Sequence, residues 1–176
     1  MDEFTIKCSL IGLLLVLGLI LLMNNLKKTE LKKEKMENVS PQVMLSALKN
    51  NNNNILIVNV LGEKIPFLID CKDSKNNISI TKDQFNEYLN KNTLDDKDLV
   101  VLYCASWSCG AAHNYYNELK EKGMDMSKIY DYKGALHEWA MYSVLFPDVY
   151  SMKNLTSKKN ATKEELVKLA EDTKHS

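Results

Sequence analysis

Two apolar runs set the fold class of this chain: "ILIVNV" (55–60) and "LVVLY" (99–103). Each is of strand length and rich in β-branched residues, and "LVVLY" has no polar alternation, so neither of its faces can meet water. That is the signature of a parallel sheet covered by helices on both sides. The segments around them supply the helices. Ser40 and Pro41 are an N-cap and first-turn proline for a short helix carrying Val43, Leu45 and Leu48. Thr81 caps a helix to Asn90, with Phe85, Tyr88 and Leu89 on one face. Ala112, Tyr116 and Leu119 stripe a helix that stops at Gly123. "KIYDY" (128–132) reads as a strand and "ALHEWAMY" (135–142) as a helix, while Phe67–Ile69 and Ile78–Ile80 are two further short strands. The expectation is an α/β domain over 39–150 with an open parallel sheet of about five strands and helices on both faces. Beyond Pro147 the apolar pattern fades. Residues 151–176 are expected to form a polar C-terminal tail whose short helix, near 162–171, buries little.

The other end of the chain is of a different kind. From Cys8 to Leu26 there is no charge, a window long enough to cross a bilayer core, which takes roughly 17–25 residues. A cleaved leader fits less well, because Asp2 and Glu3 spoil a basic n-region and Met23-Asn24-Asn25-Leu26 offers no small-residue cleavage site. Residues 1–26 are therefore read as an N-terminal transmembrane anchor and 27–38 as a charged stalk. Lys27, Lys28, Lys32, Lys33 and Lys35 follow the span and only Lys7 precedes it, which places the C-terminal domain in the cytoplasm. The partner implied at this end is the membrane. The formal net charge is +0, so no overall field favours nucleic acid. All 23 basic residues are lysines, and without arginine no bidentate clamp for phosphate or carboxylate exists anywhere in the chain.

The chemistry-bearing stretch is "CASWSCGAAH" (104–113), directly after the more apolar strand. Open α/β sheets gather function where strand C-termini meet helix N-termini. A loop of Cys104, Ala105, Ser106, Trp107, Ser108, Cys109 and Gly110 can turn its amides inward. A helix beginning near Cys109 adds its positive end, and together these are expected to stabilise a thiolate at Cys104. A buried structural cysteine would also suit the end of a strand. A cysteine phosphatase needs an arginine where Gly110 stands. A thioredoxin-type dithiol needs a cysteine where Ala112 stands. Cys104, Cys109 and His113 lack a zinc-ligand spacing, so no metal and no cofactor is expected. His113 is read as a surface residue or a support behind the loop. Trp107 either walls the site or packs on the sheet rim, with Tyr103 adding to an apolar rim. Cys109 is a candidate resolving thiol or inert, and the pair is expected as two free thiols held apart by the loop.

The stretch from Val100 to Trp139 resembles the C-terminal half of a rhodanese-like domain: a strand ending in Tyr103-Cys104, a short loop, a helix stopped at Gly123, a strand, and then Gly134-Ala135-Leu136-His137-Glu138-Trp139 in place of a Gly-Gly-x-x-x-Trp element. "ILIVNVL" is similar to the early strand that usually ends in Asp-Val-Arg, with Asn59 and Leu61 substituted. The resemblance implies a sulfurtransferase that carries sulfane sulfur as a Cys104 persulfide, from a small sulfane-sulfur donor to a thiol acceptor. Two alternatives stand beside it: a catalytically silent interaction module, because the loop lacks its usual arginine, and a Cys104/Cys109 dithiol redox protein.

Overall fold

The two apolar runs become neighbouring central strands. In the computed structural model, which describes residues 36–50, 54–71 and 78–174, β1 (Ile55–Asn59) lies parallel to β4 (Leu99–Tyr103), with Ile55 opposite Leu99 and Asn59 opposite Tyr103. β3 (Ile78–Thr81) flanks β1 and β5 (Ile129–Asp131) flanks β4, so the parallel sheet has four strands in the order β3-β1-β4-β5. Successive side chains alternate between two apolar layers. Leu56, Val58, Val100 and Leu102 face α2 (Lys82–Lys91) and α3 (Ala111–Glu121), where Phe85, Ala112, Tyr115, Tyr116 and Leu119 are buried. Ile55, Ile57, Val101 and Tyr103 face the opposite layer, which contains Met44 and Leu48 of α1 (Pro41–Lys49) and Leu136, Trp139 and Ala140 of α4 (Ala135–Leu145). Helix starts follow the sequence cues. Ser40 accepts from the Val43 amide, and Thr81 forms a reciprocal capping box with Gln84. Gly123, at φ +80°, ends α3.

The sheet is one strand narrower than expected, because Phe67–Ile69 does not join it. The link from Asn59 to Phe67 is too short for the crossover that a parallel neighbour needs, about a dozen residues. The chain turns instead through Gly62 at φ +57°. β2 (Phe67–Cys71) then pairs antiparallel with β6 (Tyr150–Asn154), which continues to β7 (Lys159–Asn160). Residues 150–160 are therefore part of a three-stranded sheet rather than a tail. The final helix, α5 (Lys163–Thr173), packs on α4 and buries Leu166, Leu169 and Thr173, so it is not peripheral. The stalk also ends earlier than expected. Met36 is buried, and Glu37 and Val39 exchange backbone hydrogen bonds with Asp131 along the edge of β5.

These elements form one unit, Met36–Ser176. The expected span and most of the expected stalk fall in residues 1–35, outside the described residues. Among the described residues, no helix is long and apolar enough to cross a membrane.

Candidate active site

Cys104 is the first residue past β4, beneath the helix that follows it. Two backbone bonds fix this corner: the amides of Leu136 and His137, in the first turn of α4, donate to the carbonyls of Cys104 (3.1 Å) and Ala105 (2.9 Å). The Gly134–Trp139 element therefore clamps the loop from behind. Its departure from Gly-Gly leaves a mark, since Ala135, at the second position, adopts φ +54°, where a side chain is strained. Gly134 has a conventional φ, but a Cβ there would lie 1.5 Å from the Glu138 carboxylate, which folds back over the turn to accept from Tyr132 Oη at 3.1 Å. At the other end of the same helix face, buried Trp139 donates from Nε1 to the Ser151 carbonyl at 2.9 Å and meets Tyr132 and Tyr150 edge-on. The glycine and tryptophan of this element thus hold the loop and the second sheet to one helix.

Asn59 explains another departure. Its Nδ2 donates to the carbonyls of Ile65 (3.1 Å) and Phe67 (3.0 Å), and its Oδ1 accepts from Leu61 N (2.9 Å). An aspartate could not serve both carbonyls. Tyr103 is buried rather than at the rim; its hydroxyl accepts from the Ile69 amide at 3.2 Å and ties β4 to β2.

Within the loop, Cys109 N donates to Ser106 O at 3.1 Å, closing a turn that folds the second cysteine back over the first. Cys104 is 3% exposed and Cys109 is half-buried; both are free thiols. The two thiols are close enough to shift each other's ionisation. Cys104 Sγ also faces the Cys109 carbonyl at 3.1 Å and that of Ser106 at 3.7 Å. The helix α3 begins after Gly110 without a side-chain cap, and its first amides favour negative charge on the sulfurs, Ala111 at Cys109 and Ala112 at Cys104. The amides of Ala105 and Ser106 also favour it at Cys109.

This geometry reverses the expected ionisation. Burial pushes the Cys104 thiol up to about 12, and the neighbouring Cys109 sulfur and Asp131 add to the effect against the single amide of Ala112. Burial opposes ionisation at Cys109 too, but the Cys104 thiol and the amides of Ala105, Ala111 and Ser106 outweigh it and hold Cys109 below the ordinary thiol range. The sulfur in the amide cradle is that of Cys109, with Cys104 as its protonated partner beneath.

The remaining expected residues are spread more widely. Ala105 and Ser106 are buried, Ser108 and Gly110 are exposed, and the Ser106 and Ser108 hydroxyls lie 3.0 Å apart. His113 is exposed on α3. Trp107 does not pack on the sheet; it is 74% exposed and lines one side of a hollow of about 470 Å³ with Gly134, His137, Glu138, Met141, Tyr142 and Leu145. Asp131 and Glu138 were not singled out in the sequence. The only cue to Asp131 is its place at the end of the strand beside β4. Among the described residues, no group of three or more His, Cys, Asp or Glu is placed to hold a metal ion.

A four-stranded parallel sheet with helices on both faces and a cysteine loop at the end of a central strand defines an α/β domain of the thiol-loop kind. Residues 57–142 match the family model of the rhodanese-like domain. Among solved structures it is similar to the BH2092 protein from Bacillus halodurans, at 17% identity and a TM-score of 0.50, over 80% of this chain and 91% of that one. It is also similar to the As-Sb reductase from Leishmania major, at 18% identity and a TM-score of 0.50, over 78% and 99% of the respective chains. At these identities the likeness is one of fold. No curated protein matches the chain.

Proposed function

We propose that the domain is a thiol-dependent sulfurtransferase that carries sulfane sulfur as a persulfide on Cys104. The observation that carries this reading is the buried Cys104 at the end of β4, its Sγ 3.1 Å from the Cys109 carbonyl in a loop whose amides favour an anionic sulfur. The outer sulfur of a Cys104 persulfide is an anion one bond from Cys104 Sγ, and it would take the place of the Cys109 sulfur as that side chain turns out. Preorganised amides then hold the charge in both half-reactions. In the first, the Cys104 proton passes to the Cys109 thiolate while Cys104 attacks the sulfane sulfur of the donor, and the donor thiolate leaves. In the second, an acceptor thiolate takes the outer sulfur and Cys104 is released.

The surroundings favour a small organic persulfide over a dianionic donor. No cationic side chain stands in the loop, while Asp131 acts on Cys104 and Glu138 lines the adjoining hollow. Residues 8–26 and the lysines after them support a further proposal, a single membrane span with the domain in the cytoplasm; a mobility shift on deglycosylation of any Asn-X-Ser/Thr site in the domain would overturn it. The activity is tested by thiocyanate release from cyanide with the reduced full chain and a sulfane donor. Cys104→Ser should abolish turnover and Cys71→Ser should leave it. Full turnover by Cys104→Ser would sink the assignment.

A further inference from the structure

In a persulfide relay that ends on an external acceptor Cys109 does no more than take the Cys104 proton, yet the fold sets Cys109 against Cys104 Sγ. We propose that Cys109 resolves the Cys104 persulfide within the chain, so that the domain releases inorganic sulfide from sulfane sulfur and is left as a Cys104–Cys109 disulfide. The inference rests on the Cys104 persulfide reading and goes one step past it.

Three observations point the same way. Cys104 Sγ lies 3.1 Å from the Cys109 carbonyl and both thiols are free, so the second cysteine already sits beside the first. The amides of Ala105, Ser106 and Ala111 favour the thiolate form of Cys109, the form that attacks. Cys109 is only half-buried, which leaves the finished disulfide open to an outside thiol. The order of events follows from charge, because two anionic sulfurs side by side repel each other. While the outer sulfur of the persulfide occupies the cradle, Cys109 is displaced; when Cys109 returns as the anion, it meets the inner sulfur and the outer one must go.

The step balances. With the donor written as R–S–SH, Cys104–SH, Cys109–S⁻ and R–S–SH give Cys104–S–SH, Cys109–SH and R–S⁻, and the departing R–S⁻ takes the Cys109 proton. Cys109–S⁻ then attacks the inner sulfur of Cys104–S–SH. The bond between the two persulfide sulfurs breaks, the Cys104–Cys109 bond forms, and HS⁻ leaves with the electron pair. The sulfane sulfur is reduced to sulfide and the cysteine pair is oxidised. An external dithiol, the reductant of this cycle, restores both thiols by exchange.

The test treats the reduced full chain, freed of excess thiol, with one equivalent of glutathione persulfide, and measures free sulfide together with the mass and alkylation of the cysteine peptides. The wild-type chain is expected to release one sulfide per chain and to yield a 104–109 disulfide that a dithiol reverses. The Cys109→Ser chain is expected to gain one sulfur atom on Cys104 and to release no sulfide until thiol is added. A wild-type chain that keeps the extra sulfur on Cys104 while Cys109 stays alkylatable would overturn the inference and leave the sulfurtransferase reading standing. An extra sulfur on neither cysteine of either chain, with no disulfide, would overturn that reading as well.

Discussion

At the scale of single residues, the ionisation of the cysteine pair has the most immediate consequences. Burial pushes Cys104 up, and amides hold Cys109 down. Brief treatment with iodoacetamide at neutral pH should therefore modify Cys109 well before Cys104, with a pH profile shifted below the free-thiol value of about 8.5. Cys109→Ser removes the neighbouring sulfur that raises Cys104, so Cys104 should be alkylated faster in that variant than in the wild type; equal rates in both chains would contradict the coupling. The position of Cys104 at a strand end was legible in the sequence, but the ionised sulfur was not. It depends on which sulfur the loop folds into its amides, a property of the Ser106–Cys109 turn rather than of spacing. Asn59 allows a second test. Asn59→Asp would set a carboxylate against the carbonyls of Ile65 and Phe67 and should cost about 2–4 kcal/mol at neutral pH. The new acid would be raised in the folded state, so it binds more protons folded than unfolded. Stability should fall as pH climbs from the unfolded carboxylate value, about 3.9, to the raised folded one, and the deficit should shrink below it. A denaturant midpoint that is unchanged between acid and neutral pH would count against this.

At the scale of elements, the central strands and the first four helices could be read from apolar runs and caps, because each satisfies its own local rule. β6 could not, nor could the burial of α5, whose helix near 162–171 was expected but not its packing, because their apolar stripes are thin. In β6 only Tyr150 and Met152 carry the inward alternation, among Ser151, Lys153 and Asn154. In α5 the buried positions are Leu166, Leu169 and Thr173, on an otherwise charged helix. Their place is fixed by tertiary partners, Trp139 above all, whose indole bonds to Ser151. Ending the chain after Tyr150 should therefore strip Met152, Leu166 and Leu169 from the core and unpair β2, giving a product without a cooperative unfolding transition by circular dichroism. Trp139→Ala in the full chain should cost about 3–5 kcal/mol. A truncated chain with wild-type thermal stability would show that the second sheet and last helix are dispensable.

For the molecule as a whole, the absence of arginine and the carboxylates around the loop set the choice of donor. The helix end and loop amides are already used by the cysteine pair, and a second anion beside them meets Asp131 and Glu138 with no guanidinium to offset the repulsion. A small organic persulfide should exceed thiosulfate by at least about tenfold in kcat/KM, or about 1.4 kcal/mol of transition-state energy. Glu138→Gln keeps the acceptor for Tyr132 and removes the charge, and it should narrow the gap by raising thiosulfate turnover. Equal efficiencies in the unmodified chain would mean that lysines outside the loop supply the missing charge.

The central claim is that the cradle over Cys104 is built for the outer sulfur of a persulfide. Its most direct test is a crystal structure of the Cys109→Ser chain treated with glutathione persulfide. The expected result is one additional sulfur bonded to Cys104 Sγ and receiving the amides of Ala105, Ser106 and Ala111. An unmodified Cys104 beside an empty cradle, or an added sulfur found only on another cysteine, would contradict it.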